Sequence, residues 1–201
     1  MEDTKEKILI ESLKLFARNG YEAVSVQDIA DKLGITKGAL YKHYKNKQDI
    51  FDSIVNRMID DDKKSANEHN VPAESFENDK SSYGKTTLEQ IGEFTIAQFM
   101  YWVQDEFAAN FRRMLTIEQY RDEKMASLYQ NYLGNGPLGY VEDLFREILD
   151  EGKNYKELAL RFYGPMYMLM NVYDSTINKD EVVSALNSHI CNFLIELKGE
   201  N

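Results

Sequence analysis

The chain has 201 residues and a formal net charge of −10, with 43% apolar residues, 3 prolines, 11 glycines and one cysteine. That much apolar side chain with so little proline and glycine favours long helices over a turn-rich β architecture. The lone Cys191 excludes an intrachain disulfide framework and a cysteine-based zinc site and fits a reducing cytoplasm, while the charged start MEDTKEKILIESL is no secretory signal and no run of about 18 apolar residues offers a membrane span.

Residues 4–19 read as a helix, with Ile8, Ser12 and Leu15 in one row and Leu9, Leu13 and Phe16 in the next, ended by Asn19-Gly20. Ser25 is a good N-cap for VQDIADKLG, with Asp28 three residues on in a capping-box arrangement and Gly34 as the stop. Thr36 caps KGALYKHY, and Asn46 caps a fourth helix, KQDIFDSIVNRMI. Residues 25–44 therefore form a helix-turn-helix, with the first helix crossing behind it. Residues 60–85 are polar and nearly free of apolar periodicity, so a helix end followed by a loop is expected there. Helical period returns at 86 with two apolar rows, and further helices are expected over 105–120, 122–133, from Pro137 to about Glu151, over 154–174 and over 179–198. No strand pattern or repeat stands out.

Several stretches imitate catalytic or cofactor motifs. GNGPLG at 134–139 matches a dinucleotide fingerprint letter for letter, but helices flank it where a strand is required, so it reads as a turn. DKSSYGKT at 79–86 ends like a phosphate-binding loop, yet Asp79 stands where glycine is needed and would face phosphates with an acid. His43, His69 and His189 belong to no metal-binding spacing, and no metal or cofactor is expected.

Charge singles out a different stretch. The first fifty residues hold nine basic and eight acidic side chains, against 15 and 26 in the remainder. Within the head, Thr36 to Gln48 carries Lys37, Lys42, Lys45, Lys47 and His43 with no acid at all. On a helix starting after Thr36, Lys37 and Tyr41 share the outward face, while Leu40 and Tyr44 share the inward one. Small Gly38 and Ala39 allow close approach, and lysines with tyrosine hydroxyls suit phosphates.

With those residues in view, ILIESLKLFARNGYEAVSVQDIADKLGITKGALYKHYKNKQDIF resembles the TetR-type (TetR/AcrR) bacterial transcriptional regulators. The likeness rests on Phe16, Gly20, Ser25, Ile29, Ala30, Gly34, Leu40, Tyr41, His43, Tyr44 and Lys47; Tyr44 stands where some members have Phe, and Leu33 where a small residue is common. It implies an all-α cytoplasmic bacterial homodimer with a helix-turn-helix DNA-binding head at 1–46 and an effector-binding and dimerisation domain at 47–201, the helix from 47 acting as connector. It further implies DNA contacts from Ser25, Val26, Gln27, Thr36, Lys37, Gly38, Ala39, Tyr41, Lys42, His43 and Lys47 on a pseudo-palindromic operator.

The body has to be read from its own residues. Phe162, Met166 and Met170, with Val183, Leu186, Ile190, Phe193 and Leu197, form apolar rows suited to a dimer seam or to the chain's own core. Trp102, Phe107, Phe111, Met114, Tyr163 and Tyr167 are candidates for lining an effector pocket. Glu118 shares a row with Phe111 and Met114, and a carboxylate there lies at a solvent edge or needs a partner, such as a cationic or hydrogen-bonding apolar effector. The expected function is an effector-released repressor; the alternatives are a constitutive DNA-binding protein without an effector and a helical-bundle enzyme.

Overall fold

The computed structural model describes residues 4–121 and 123–199. The extreme ends of the two sequence-drawn domains, at 1 and 201, and the start of the expected segment 122–133 lie outside these. The described residues form eleven α-helices: α1 (Thr4–Asn19), α2 (Val26–Leu33), α3 (Lys37–Leu40), α4 (Lys47–Glu68), α5 (Lys80–Tyr83), α6 (Leu88–Gln104), α7 (Glu106–Glu118), α8 (Glu123–Leu133), α9 (Asn135–Ile148), α10 (Tyr155–Ser175) and α11 (Lys179–Lys198). The chain divides into two compact units, Met1–Asp61 with Asp105–Tyr129, and Asp62–Gln104 with Gln130–Asn201. No helix of the described residues is long and apolar enough to cross a membrane.

The first unit is wider than the 1–46 head drawn from the sequence, because α7 packs on α1. The apolar rows require this. Ile8, Leu13 and Phe16 of α1 are fully buried, as are Phe111, Met114 and Leu115 of α7 and Ile50, Ile54 and Met58 of α4. Each removes apolar surface from water only if another element covers it. The N-terminal end of α7 is fastened by polar groups as well. Glu106 pairs with Lys14 at 3.1 Å, and the Arg57 guanidinium lies 4.0 Å from the Phe107 ring centroid while also pairing with Glu6. The hydrogen bond to Glu106, then that to Glu11, raises the Lys14 pKa.

In the second unit α10 lies against α9, α11 and α6. Its centre is aromatic: the Phe145 and Phe162 rings meet edge-on at 5.5 Å, and Phe193 lies 5.3 Å from Phe162. α10 continues through Pro165 to Ser175. The polar segment expected as a loop over 60–85 differs from expectation at both ends. α4 runs on to Glu68, and α5 forms at 80–83 around Tyr83, which is 1% exposed. Tyr83 meets Phe76 and Tyr140 edge-on, and its hydroxyl donates to the Glu74 carbonyl at 3.1 Å. A few scattered apolar side chains in a polar stretch, here Val71, Phe76 and Tyr83, have no helical period to betray them, but they are enough to anchor the segment.

Candidate nucleic-acid interface

α2 and α3 are short, and local chemistry fixes both of their ends. Ser25 and Asp28 form a reciprocal capping box: the Asp28 N–H donates to Ser25 Oγ at 3.2 Å, and the Ser25 N–H donates to Asp28 Oδ2 at 2.7 Å. The Ser25 hydroxyl and N–H together hold the Asp28 carboxyl below the usual aspartate range. Gly34, at φ 64°, closes α2 in the left-handed conformation; its N–H donates to the Asp31 carbonyl, and the next N–H, of Ile35, returns to the Ala30 carbonyl at 3.0 Å. Thr36 then opens α3 by accepting the Ala39 N–H on Oγ1 at 3.1 Å.

The α-helical part of α3 is one turn, shorter than the expected KGALYKHY. Beyond it the Lys42 and His43 N–H groups donate three residues back, to the Ala39 and Leu40 carbonyls, so the segment tightens towards 3₁₀ geometry before it ends. A one-turn helix has little macrodipole, and Thr36 already takes the Ala39 N–H. Attraction for an anion here therefore rests on the side chains.

Those side chains point where the spacing predicts. Leu40 is fully buried and Tyr44 is 3% exposed, with the Tyr44 hydroxyl donating to the Lys5 carbonyl at 3.2 Å. Tyr41 is half exposed at 50%, and Lys37, Lys42, Lys45, Gly38, Thr36, Ser25 and Gln27 are exposed; Val26, Ala39, His43 and Lys47 are half-buried. Among the described residues, no carboxylate forms an ion pair with Lys37, Lys42 or Lys45. The neighbouring acids serve their own segments. Asp28 closes the capping box, Asp31 accepts from the Gln27 amide, and Asp49 accepts the Lys45 N–H at 2.8 Å at the start of α4. What remains is an exposed face with cations and a phenol.

Lys47 behaves differently from the other lysines. Its Nζ donates to the Tyr21 carbonyl at 2.7 Å and lies 4.2 Å from the Tyr21 ring centroid, so it is already engaged inside the head. Tyr21 is itself buried and packs between Phe16 and Phe51. Burial, then the charges of Glu22 and Asp52, pushes its phenol up to about 12, so it stays a donor, here to Gln48 Oε1 at 3.2 Å. Beneath this group lies Glu118, 1% exposed, whose Oε1 accepts the Tyr21 N–H at 3.0 Å and lies 3.2 Å from Arg121 Nε. Its carboxylate has its partners within the first unit, which removes the reason for assigning it a cationic effector. Sequence reasoning noticed this acid but could not see a partner 97 positions away.

The other candidates divide between the units. Phe107, Phe111 and Met114 are buried in the first unit. Trp102, Tyr163 and Tyr167 belong to the second; the Trp102 ring meets Tyr132 at 6.3 Å, and the Tyr163 hydroxyl donates to the Leu133 carbonyl at 3.3 Å. Of the proposed seam residues, Phe162, Met166, Met170, Leu186, Ile190 and Phe193 are buried within the chain itself, and Val183 and Leu197 are half-buried. The large apolar groups left exposed on α10 and α11 are Leu160, Met168, Val172 and Ile195. Among the described residues no group of three or more His, Cys, Asp or Glu could hold a metal ion.

Comparison with known proteins points to the same segment. Residues 8–54 match the model of the bacterial regulatory proteins of the tetR family. Over 48 residues, 24% of this chain and 17% of its relative, the sequence is 46% identical to the HTH-type transcriptional regulator YerO of Bacillus subtilis (strain 168). Over 53 residues, 26% of this chain and 25% of its relative, it is 40% identical to the HTH-type transcriptional regulator AcrR of Shigella flexneri. The match thus spans about a sixth to a quarter of those relatives' lengths. Solved structures match over nearly the whole chain. SmeT in complex with triclosan superposes at a TM-score of 0.65 with 17% identity, covering 96% of this chain and 90% of SmeT. A transcriptional regulator from Aquifex aeolicus VF5 gives 0.65 with 20% identity, covering 94% and 99%. At such identities the likeness is one of fold.

Proposed function

We propose that this chain, which belongs to the TetR/AcrR family, regulates transcription by binding double-stranded DNA through the α2–α3 segment and acts as a repressor released by a small-molecule effector. One observation carries the reading: Lys37, Lys42 and Tyr41 stand exposed on a capped, rigidly backed tip while the acids around them are taken up by their own segments. Lysines there neutralise phosphates, and Gly38 and Ala39 leave room for the duplex to approach. Ser25, Val26, Gln27, Thr36, His43 and Lys47 complete the proposed contacts, Lys47 in part by holding the Tyr21 carbonyl. Residues 1–46 hold these contacts in this reading, and α4, whose residues are divided between the two units, is the connector.

A second copy is the proposed partner of the exposed face of α10 and α11. Leu160, Met168 and Val172 lie at spacings of eight and four on α10, one stripe of an α-helix, and Ile195 lies on α11 beside the Arg161–Glu196 pair that joins the two helices at 2.7 Å. A two-fold dimer sets two recognition segments about 34–36 Å apart, or a multiple of that, along a pseudo-palindromic operator. The proposed effector is an apolar molecule held in the second unit by Trp102, Tyr163 and Tyr167. SmeT in its triclosan complex is a fold relative with such a ligand.

The test is selection of duplexes from a randomised pool by the full chain. A palindromic motif is expected, with affinity falling steeply as salt rises. Enrichment of no motif over non-specific binding overturns the reading. Because Trp102 is the sole tryptophan, its fluorescence reports effector binding directly. Saturable quenching by triclosan or a similar phenol is expected, and quenching that releases no DNA favours a constitutive binder.

A further inference from the structure

Two helices of the head end on a left-handed glycine, and they finish in different ways. After Gly34 the next N–H, of Ile35, returns to its own helix at Ala30. After Gly20, at φ 86°, the glycine N–H donates to the Phe16 carbonyl at 2.9 Å, but the next N–H, of Tyr21, leaves the helix and donates to Glu118 of α7. Both groups are buried, so water is no ready substitute for either. The place is built tightly around the carboxylate: a Cβ on Gly20 would lie 2.7 Å from Glu118 Oε1, whereas one on Gly34 would meet nothing within 4 Å. Tyr21 passes the constraint on. Its carbonyl accepts Lys47 Nζ, and its hydroxyl donates to Gln48, both at the start of α4.

We infer that Glu118 is a positioning residue for DNA binding: by completing the end of α1 from α7, it fixes Tyr21, and through Tyr21 the start of α4, in the arrangement that presents α2 and α3. The inference rests on the reading of the head as a DNA-binding unit.

The test compares the full chain with Glu118→Ala, Glu118→Asp and Glu118→Gln, at a temperature below the melting point of each. Three quantities are measured: affinity for a duplex selected by the wild-type chain, the salt dependence of that affinity, and hydrogen exchange at the Tyr21 amide. Glu118→Ala is expected to lose at least about tenfold in affinity with an unchanged salt slope, because the phosphate contacts are kept but mispositioned. Its Tyr21 amide should exchange faster while amides in the centre of α1 stay protected. Glu118→Asp, which keeps the charge but withdraws it by one methylene, should behave like Glu118→Ala and guards against a variant that fails to fold. Glu118→Gln keeps an acceptor oxygen and should recover most of the affinity and protection. Fast Tyr21 exchange with undiminished affinity overturns the inference and leaves DNA binding intact, as does a Glu118→Gln variant no better than alanine. A wild-type chain that selects no duplex overturns both.

Discussion

The two compact units expose different chemistry. In the first, the exposed groups around α3 are lysines, a phenol and small polar residues, with the apolar partners Leu40 and Tyr44 turned fully inward. In the second, α10 leaves Leu160, Met168 and Val172 in solvent although its other faces are already packed. A surface of unpaired cations lowers its free energy by meeting a polyanion, and an apolar stripe does so by meeting another apolar stripe. One chain thus carries one surface for each of the two partners proposed, and its net charge of −10 hides the first of them.

The difference can be broken most severely from the apolar side. Placing lysine at both Leu160 and Met168 should convert a dimer to a monomer in analytical ultracentrifugation. With the second head no longer tethered, operator affinity should fall by about 10²–10⁴. The same change leaves the first unit's melting behaviour as it was. Gly20→Ala is the next largest effect: a left-handed alanine whose Cβ crowds Glu118 should cost about 3 kcal/mol by chemical denaturation, against about 1 kcal/mol for Gly34→Ala, where space is open. Equal losses at the two glycines would show that the α7 contact contributes nothing. Lys37→Ala with Lys42→Ala should weaken binding to all duplexes alike and lower the salt slope by about 2, with no change in melting temperature. Lys47→Ala, by contrast, should lower the melting temperature as well, since its ammonium holds Tyr21.

The smallest expected effect sharpens the account of the head alone. Ser25→Ala should cost about 1 kcal/mol. The Asp28 carboxyl lies below its ordinary value of 3.8 in the folded chain, so its contribution is present above that value and is lost as the pH falls through the folded one. Asp28→Asn should lower the head's stability at neutral pH and flatten its acid limb, so that the wild-type and variant profiles converge as the pH falls. Parallel wild-type and variant profiles would remove the capping box from the account.

The legible parts of the molecule were those in which the cause and its effect lie within four residues of each other. Ser25 with Asp28, Gly34, Thr36, and the inward pair Leu40 and Tyr44 could all be placed from spacing and capping chemistry. The length of α3 was less legible, because the choice between α and 3₁₀ bonds after Leu40 is made by tertiary packing. Apolar rows on α10 and α11 were visible, yet a row does not say which neighbour covers it; Phe162, Met166 and Phe193 turned out to face the chain's own interior. Glu118 stood out as a misplaced acid, but its partner is a backbone N–H, which no side-chain pattern encodes.

The 97-residue separation between Tyr21 and Glu118 has a consequence for how the protein is made. At translation rates of roughly 5–20 residues per second, Tyr21 is made about 5–20 s, and the end of α4 at Glu68 about 2.5–10 s, before the carboxylate that completes the end of α1. During that interval the nascent helix-turn-helix lacks α7, with which α1 packs, and its apolar surface is open to chaperones. In the proposed reading, the emergence of α7, rather than of α3 itself, completes the head.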